Sequence, residues 1–234
     1  LIINERHEAW GSLARKLAHE IKNPLTPIQL TIDRLKSKYS NQLSEKDKSN
    51  FKENLKIINN QIKQIEKLVN EFSDFARMPK PIFQKNNLAE LIIENIKLLQ
   101  ELDVSIEIKF QSNLPIIYLE SDKEQLSRVF LNLIKNSIES IQQQAQNDNN
   151  TNKTIDIELN DHDDHINLTI IDTGIGFENL KSNIKDIVNP YFTTKKNGTG
   201  LGLSIVNKII NDHNGNIEFI SIIDGAKIKI IFKK

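Results

Sequence analysis

The chain has 234 residues, enough for one large domain or two small ones, and its 31 basic residues balance 31 acidic ones. That balance removes any electrostatic case for nucleic acid or an anionic membrane surface as a partner. The absence of cysteine excludes disulfides, thiolate metal sites and cysteine nucleophiles. No apolar run approaches the roughly 20 residues that a spanning helix needs, and no signal peptide is visible. Leu1 is not an initiator methionine and lies close to the start of a helical pattern, so the sequence reads as a piece of a longer protein.

The first element is a helix over about 5–38. At about 100° per residue, Trp10, Leu13, Leu17, Ile21, Leu25, Ile28, Ile32 and Leu35 fall on one apolar stripe. His19 falls opposite the centre of that stripe, which points its imidazole at water. Glu20 and Asn23 project from neighbouring parts of the same polar face. Pro24 and Pro27 each remove a backbone donor and predict a bend just after His19. A polar turn over Ser40 to Asp47 leads into a second helix with a strict seven-residue repeat. Phe51, Ile58, Ile65 and Phe72 occupy one heptad position; Leu55, Ile62, Val69 and Ala76 occupy the other. Two helices alone cannot bury two apolar stripes, whereas a dimer whose paired hairpins make four helices can.

Met78-Pro79-Lys80-Pro81 ends the second helix as a short stiff linker. The resulting boundaries are a hairpin over 1–78, a linker over 79–81 and a second domain over 82–234. In that domain the pattern predicts a helix over Leu88 to Glu101 and strands over Val104 to Phe110 and Ile116 to Leu119. A long helix over Asp122 to Ala145 and a polar loop over 147–152 follow. Strands are expected at 154–160 and 165–171, an irregular stretch over 172–198, a helix over Leu201 to Asp212, and strands at 216–223 and 226–232. Helices and strands in runs predict an α/β sandwich with a mixed sheet.

Only eight glycines occur, and five of them fall in two short loops. Asp172-Thr173-Gly174-Ile175-Gly176 follows a strand; Gly198-Thr199-Gly200-Leu201-Gly202-Leu203 precedes a helix. A glycine loop feeding a helix N-terminus presents free N–H groups to an anion such as phosphate. The second loop is neither a P-loop nor a dinucleotide fingerprint. On the long helix, Asn132 and Asn136 stand four apart on one face with Lys135 beside them, and an amide oxygen can ligate Mg²⁺.

These elements, taken in order with Asn189-Pro190-Tyr191-Phe192, resemble the N, G1, F and G2 boxes of the ATP-binding domain of sensor histidine kinases. The stretch from Leu17 to Leu30 resembles that family's H box, most closely in the nitrogen-regulation sensors of the NtrY type. The resemblance covers essentially the whole chain. It implies an α plus α/β architecture: an antiparallel helical hairpin dimerising into a four-helix bundle, then a Bergerat-type α/β sandwich that binds ATP.

By that resemblance His19 accepts the γ-phosphoryl group of ATP and passes it to an aspartate on a response regulator receiver domain. Imidazole chemistry agrees, since a neutral ring is a good nucleophile near neutral pH. Glu20 accepts a proton from, or orients, the other ring nitrogen. Asn23 positions water for hydrolysis of the regulator's aspartyl phosphate, and Pro24 is the hinge. Asn136 matches the Mg²⁺ ligand and Asn132 an accessory phosphate or metal contact, with Lys135 on the same face. Asp172 matches the acceptor for the adenine amino group, and Gly174 and Gly176 let the chain pass close to the base. Gly198, Thr199, Gly200, Leu201 and Gly202 cradle the phosphates, and Lys195 or Lys196 reaches the γ-phosphate. Phe192 packs the lid between Gly176 and Gly198. At 137 serine stands where the family commonly has alanine, an exchange expected to be tolerated.

The implied ligands are ATP and Mg²⁺. The implied partners are a second copy of the chain and a response regulator, with no nucleic acid. The implied location is the cytoplasmic portion of an inner-membrane sensor, anchored through a region N-terminal to this sequence. The alternatives are an ATPase of the same nucleotide-binding fold and a nucleotide-binding dimeric scaffold without kinase activity. His162 and His165, among Asp161, Asp163 and Asp164, read as a solvated turn rather than a metal site.

Overall fold

The computed structural model describes residues 2–40, 42–101, 103–147, 152–177, 184–195 and 198–234. The side chains of Trp10 and Leu13, all of Lys196, and parts of the expected polar loop and lid lie outside the described residues. The chain divides into two compact units, Leu1–Pro79 with Thr193–Leu201, and Lys80–Phe192 with Gly202–Lys234.

The first unit is built on α1 (Ile2–Tyr39) and α2 (Glu45–Ala76), and α1 runs through both Pro24 and Pro27. Ser44 caps α2 by accepting the Asp47 N–H at 3.3 Å. The single stripe expected on α1 resolves into two seams. Leu25 and Ile32 of α1 pack with Leu55 and Ile62 of α2, with Phe51 against them. Ala14, Ala18 and Val69 are buried as well. By contrast, Leu17, Ile21, Ile28 and Leu35 of α1 and Ile58 and Ile65 of α2 remain 37–45% exposed. The inner seam on α1 therefore runs through Ala14, Ala18, Leu25 and Ile32, at steps of four, seven and seven residues. The small side chains at 14 and 18 suit a close helix–helix approach but contribute little to a hydropathy pattern.

The second unit begins with a strand that the sequence pattern missed, β1 (Gln84–Asn87), which is polar throughout. After α3 (Leu88–Gln100) and β2 (Glu107–Ser112), β3 (Tyr118–Ser121) pairs antiparallel with β1 in a separate two-stranded sheet. The Asn86 side chain secures this pairing, donating to the Ser121 carbonyl at 2.7 Å. Then come α4 (Lys123–Asn147), β4 (Thr154–Asp161), β5 (His165–Asp172), a 3₁₀ turn (Ile184–Val188), α5 (Gly202–Asp212), β6 (Gly215–Ile222) and β7 (Gly225–Lys233). The main sheet has the order β2-β4-β5-β7-β6, parallel between β2 and β4 and antiparallel elsewhere. It is the mixed sheet expected, with α3, α4 and α5 packed against it.

Register explains where the core ends and the site begins. On the buried face, Leu159, Leu168 and Ile230 lie side by side, and the next rung is Ile157, Ile170 and Ile228. Each such side chain contributes about 1.5–3 kcal/mol on burial. The rung after that is Ile155, Asp172 and Ala226, so a carboxylate occupies the last position of an apolar ladder. At the far end of α5, His213 is buried. Its Nδ1 lies 2.8 Å from the Ile209 carbonyl, and its Nε2 accepts the Asp122 N–H at 3.0 Å. The Asp122 carboxylate in turn accepts the Ile82 N–H at 2.8 Å, fixing the entry into the domain. His162 and His165 stack at 4.6 Å on the β4–β5 turn, and no cluster able to hold a metal occurs among the described residues.

Candidate active site

Asp172 is 3% exposed. Burial pushes its carboxyl above the ordinary range, opposed by N–H bonds from Gly174 and Ala226 and an O–H bond from Ser137. The Gly174 N–H reaches Oδ1 at 3.0 Å and the Ser137 hydroxyl reaches Oδ2 at 2.9 Å. One turn further along α4, Ser140 Oγ accepts the Ile175 N–H at 3.1 Å. The glycines of this loop follow from that crowding. A Cβ at Gly174 would collide with Ser140, and Gly176 has a φ of +63° with the Gly225 carbonyl where its Cβ would stand.

On the same helix, the Asn132 amide donates to the Arg128 carbonyl at 2.8 Å. Its Oδ1 lies 3.1 Å from the position a Cβ on Gly202 would take, so a glycine there lets the start of α5 approach α4. Asn136 is half-buried and Lys135 exposed, on the turn of α4 between Asn132 and the serine that holds Asp172. A groove of about 610 Å³ runs along this helix past Arg128, Leu131, Asn132 and Lys135. The second unit thus brings together Asn132, Lys135, Asn136, Asp172, Gly174, Gly176 and Gly202. Phe192 is half-buried, and its N–H donates to the Asn189 carbonyl at 3.2 Å.

Lys195, Gly198, Thr199, Gly200 and Leu201 lie in the segment that groups with the hairpin. There the Thr199 hydroxyl donates to the Glu71 carboxylate on α2, and the Leu201 N–H donates to Thr199 Oγ1 at 3.4 Å. Gly200 has a φ of +71° and Leu201 is buried. The Lys195 N–H donates to Thr193 Oγ1 at 3.1 Å.

His19, Glu20, Asn23 and Pro24 are all exposed on α1, while Ala18 beside them is turned into the hairpin. Sequence reasoning missed Ser140, Gly225 and the Ala226 N–H, and took Ser137 as a neutral exchange. The signal available was two hydroxyls three residues apart within the buried stripe of α4, among Leu133, Ile134, Ile138 and Ile141.

Residues 9–81 match the family model of the His Kinase A (phospho-acceptor) domain. Residues 121–234 match that of the Histidine kinase-, DNA gyrase B-, and HSP90-like ATPase. The nitrogen regulation protein NtrY of Azorhizobium caulinodans is 37% identical over 219 residues, covering 93% of this chain and 28% of that protein. An NtrY-like sensor histidine kinase of Rickettsia prowazekii is 37% identical over 233 residues, covering 99% of this chain and 37% of the relative. The chain thus spans about a third of the length of these curated relatives. A crystal structure of the histidine kinase ThkA in complex with the response regulator protein TrrA is also similar. It has a TM-score of 0.66 at 28% identity, covering 99% of this chain and 64% of that one. The two domain matches in this order, the curated relatives and the ThkA likeness agree: the chain belongs to the sensor histidine kinases and, among them, to the NtrY type.

Proposed function

We propose that this chain transfers the γ-phosphoryl group of ATP to His19 and passes it to an aspartate of a response regulator. The observation that carries the reading is the pairing, in one chain, of an exposed imidazole on a seam-packed helix with a buried carboxylate at a glycine loop. Asp172 accepts the adenine amino group. The glycine-led N-terminus of α5 presents backbone N–H groups to phosphate. The donor set beside it suits a hard cation, because Asn132 and Asn136 offer amide oxygens and no thiolate competes. Asn136 would hold Mg²⁺, with Asn132 as an accessory contact, and the bound ion would neutralise phosphate charge.

The His19 ring nitrogen that carries the lone pair attacks the γ-phosphorus. The new N–P bond forms as the bond from phosphorus to the bridging oxygen breaks, and ADP leaves with that electron pair. Glu20 orients the other ring nitrogen or takes its proton. In the second step the regulator's aspartate oxygen takes the phosphoryl group and the imidazole recovers its lone pair. Asn23, one helical turn from His19, holds water for hydrolysis of the aspartyl phosphate, giving a phosphatase activity as well. The outer seam of Leu17, Ile21, Ile28, Ile58 and Ile65 supports a homodimer, since a second hairpin covers what one chain leaves exposed. The relatives extend well beyond the matched part, and we take this chain as the cytoplasmic portion of an inner-membrane sensor.

Incubation with γ-labelled ATP and Mg²⁺ tests the reading. The wild-type chain takes up acid-labile label and His19→Ala takes up none; label that survives in His19→Ala overturns the assignment. Release of phosphate without a phosphoenzyme favours the ATPase alternative.

A further inference from the structure

We infer that Ser137 is a positioning residue of the base pocket, whose hydroxyl keeps the Asp172 carboxylate ionised and so selects a purine with an amino group rather than a carbonyl at position six. The inference rests on the reading of Asp172 as the acceptor for the base. Ser137 is 1% exposed, among the buried Leu133, Ile134, Ile138 and Ile141 of α4, and its hydroxyl donates to Asp172 Oδ2 at 2.9 Å. A hydroxyl buried there without a partner would be costly, so Ser137 and Asp172 satisfy each other. Ser140, one turn away, holds the Ile175 N–H, so a single face of α4 fixes both the carboxylate and the loop that follows it.

An ionised carboxylate offers about four lone-pair positions. The Gly174 N–H takes one on Oδ1 and the Ser137 hydroxyl one on Oδ2, which leaves room for a ligand donor. The elements packed on Asp172 present Ile155 from β4, Ala226 from β7 and Ser137 from α4, and among the described residues no charged side chain acts on the carboxyl. Its ionisation is therefore set by burial on one side and by the hydrogen bonds it accepts on the other. Removal of the hydroxyl lets the carboxyl take up a proton at higher pH. Once protonated it carries an O–H donor, which suits the carbonyl of guanine or hypoxanthine better than the amino group of adenine. The same hydroxyl thus governs the acid limb of ATP binding and the choice between ATP and GTP.

The test is calorimetric titration of the chain with Mg-ATP and with Mg-GTP across about pH 5.5–8.5, where a carboxyl of ordinary acidity stays ionised. Wild type, Ser137→Ala, Ser137→Cys, Ser140→Ala and Asp172→Asn are compared, with thermal melting alongside. All share the nucleotide's own titration, so differences isolate the protein group. In Ser137→Ala the acid limb of ATP binding moves up by about one pH unit, as expected for loss of one bond to a charge. Its ATP-over-GTP preference falls several-fold at the acid end. Ser137→Cys, a similar volume with a weaker donor, gives an intermediate limb. Ser140→Ala weakens both nucleotides alike at every pH. A wild-type acid limb and base preference in both Ser137 variants overturns the inference. Wild-type ATP affinity in Asp172→Asn overturns the reading of Asp172 instead.

Discussion

His19 and Asp172 carry the two ends of the proposed reaction, and they lie in opposite environments. The imidazole stands in solvent on α1, with the protein's packing confined to the seam beneath it. The carboxylate is the last rung of the core ladder, held by the Gly174 N–H from its own loop and the Ser137 hydroxyl from α4. An acceptor that must meet an ATP site and then a second protein has to be exposed. A group that reads one hydrogen bond on a base has to be shielded from water that would compete for it. Function and stability are therefore separable in the hairpin and coupled in the catalytic domain.

The sharpest way to break this comparison is at the outer seam. The double change Ile21→Asp and Ile28→Asp shifts the chain from dimer to monomer by sedimentation, since it places charge where a second hairpin packs. A dimer that survives would mean that these side chains face solvent in the assembly. At the inner seam, Ile62→Ala costs about 2–5 kcal/mol in chemical denaturation, with the loss confined to the hairpin transition. An equal loss in the catalytic domain would contradict the division into two units.

In the catalytic domain, Asp172→Asn weakens ATP binding by about 10–100-fold, the loss of a charged hydrogen bond. Yet it stabilises the nucleotide-free protein. The sign follows from burial. Because the folded carboxyl binds its proton more tightly than the unfolded chain does, its contribution favours folding as pH falls from its raised pKa toward the ordinary carboxylate range. Above that window the ionised group costs stability. The melting temperature of Asp172→Asn therefore exceeds wild type at pH 8, and the gap closes as pH drops. A lower melting temperature at pH 8 would contradict the account. Gly174→Ala forces a methyl group against Ser140 and costs about 1–3 kcal/mol, together with ATP affinity. The smallest effect is on the other side of the comparison: His19→Gln changes stability by less than about 0.5 kcal/mol, as an exposed site should.

Much of this contrast was legible in the chain. The heptads of α2 placed both seams, and the apolar strands, long enough to show alternation, placed β4, β5 and β7. The exposure of His19 followed from periodicity alone. What escaped depended on partners far away in sequence. β1 has no apolar residue to mark it and exists because its backbone meets β3 and Asn86 reaches Ser121. Ala14 and Ala18 are buried on the same side of α1 as Leu25 and Ile32, which side chains so small barely register in hydropathy. Ser137 looked interchangeable with alanine because its significance lies in Asp172, 35 residues on, brought beside it only when β5 packs under α4.

The central claim, an exposed acceptor served by a buried base site, is tested most directly by mapping the phosphoryl group. The chain is incubated with Mg-ATP, digested at neutral pH and sequenced by mass spectrometry. The account predicts phosphohistidine at His19, labile in acid, and none in Asp172→Asn at limiting ATP. Phosphate carried at any other residue, or turnover of ATP with His19 unmodified, would contradict it.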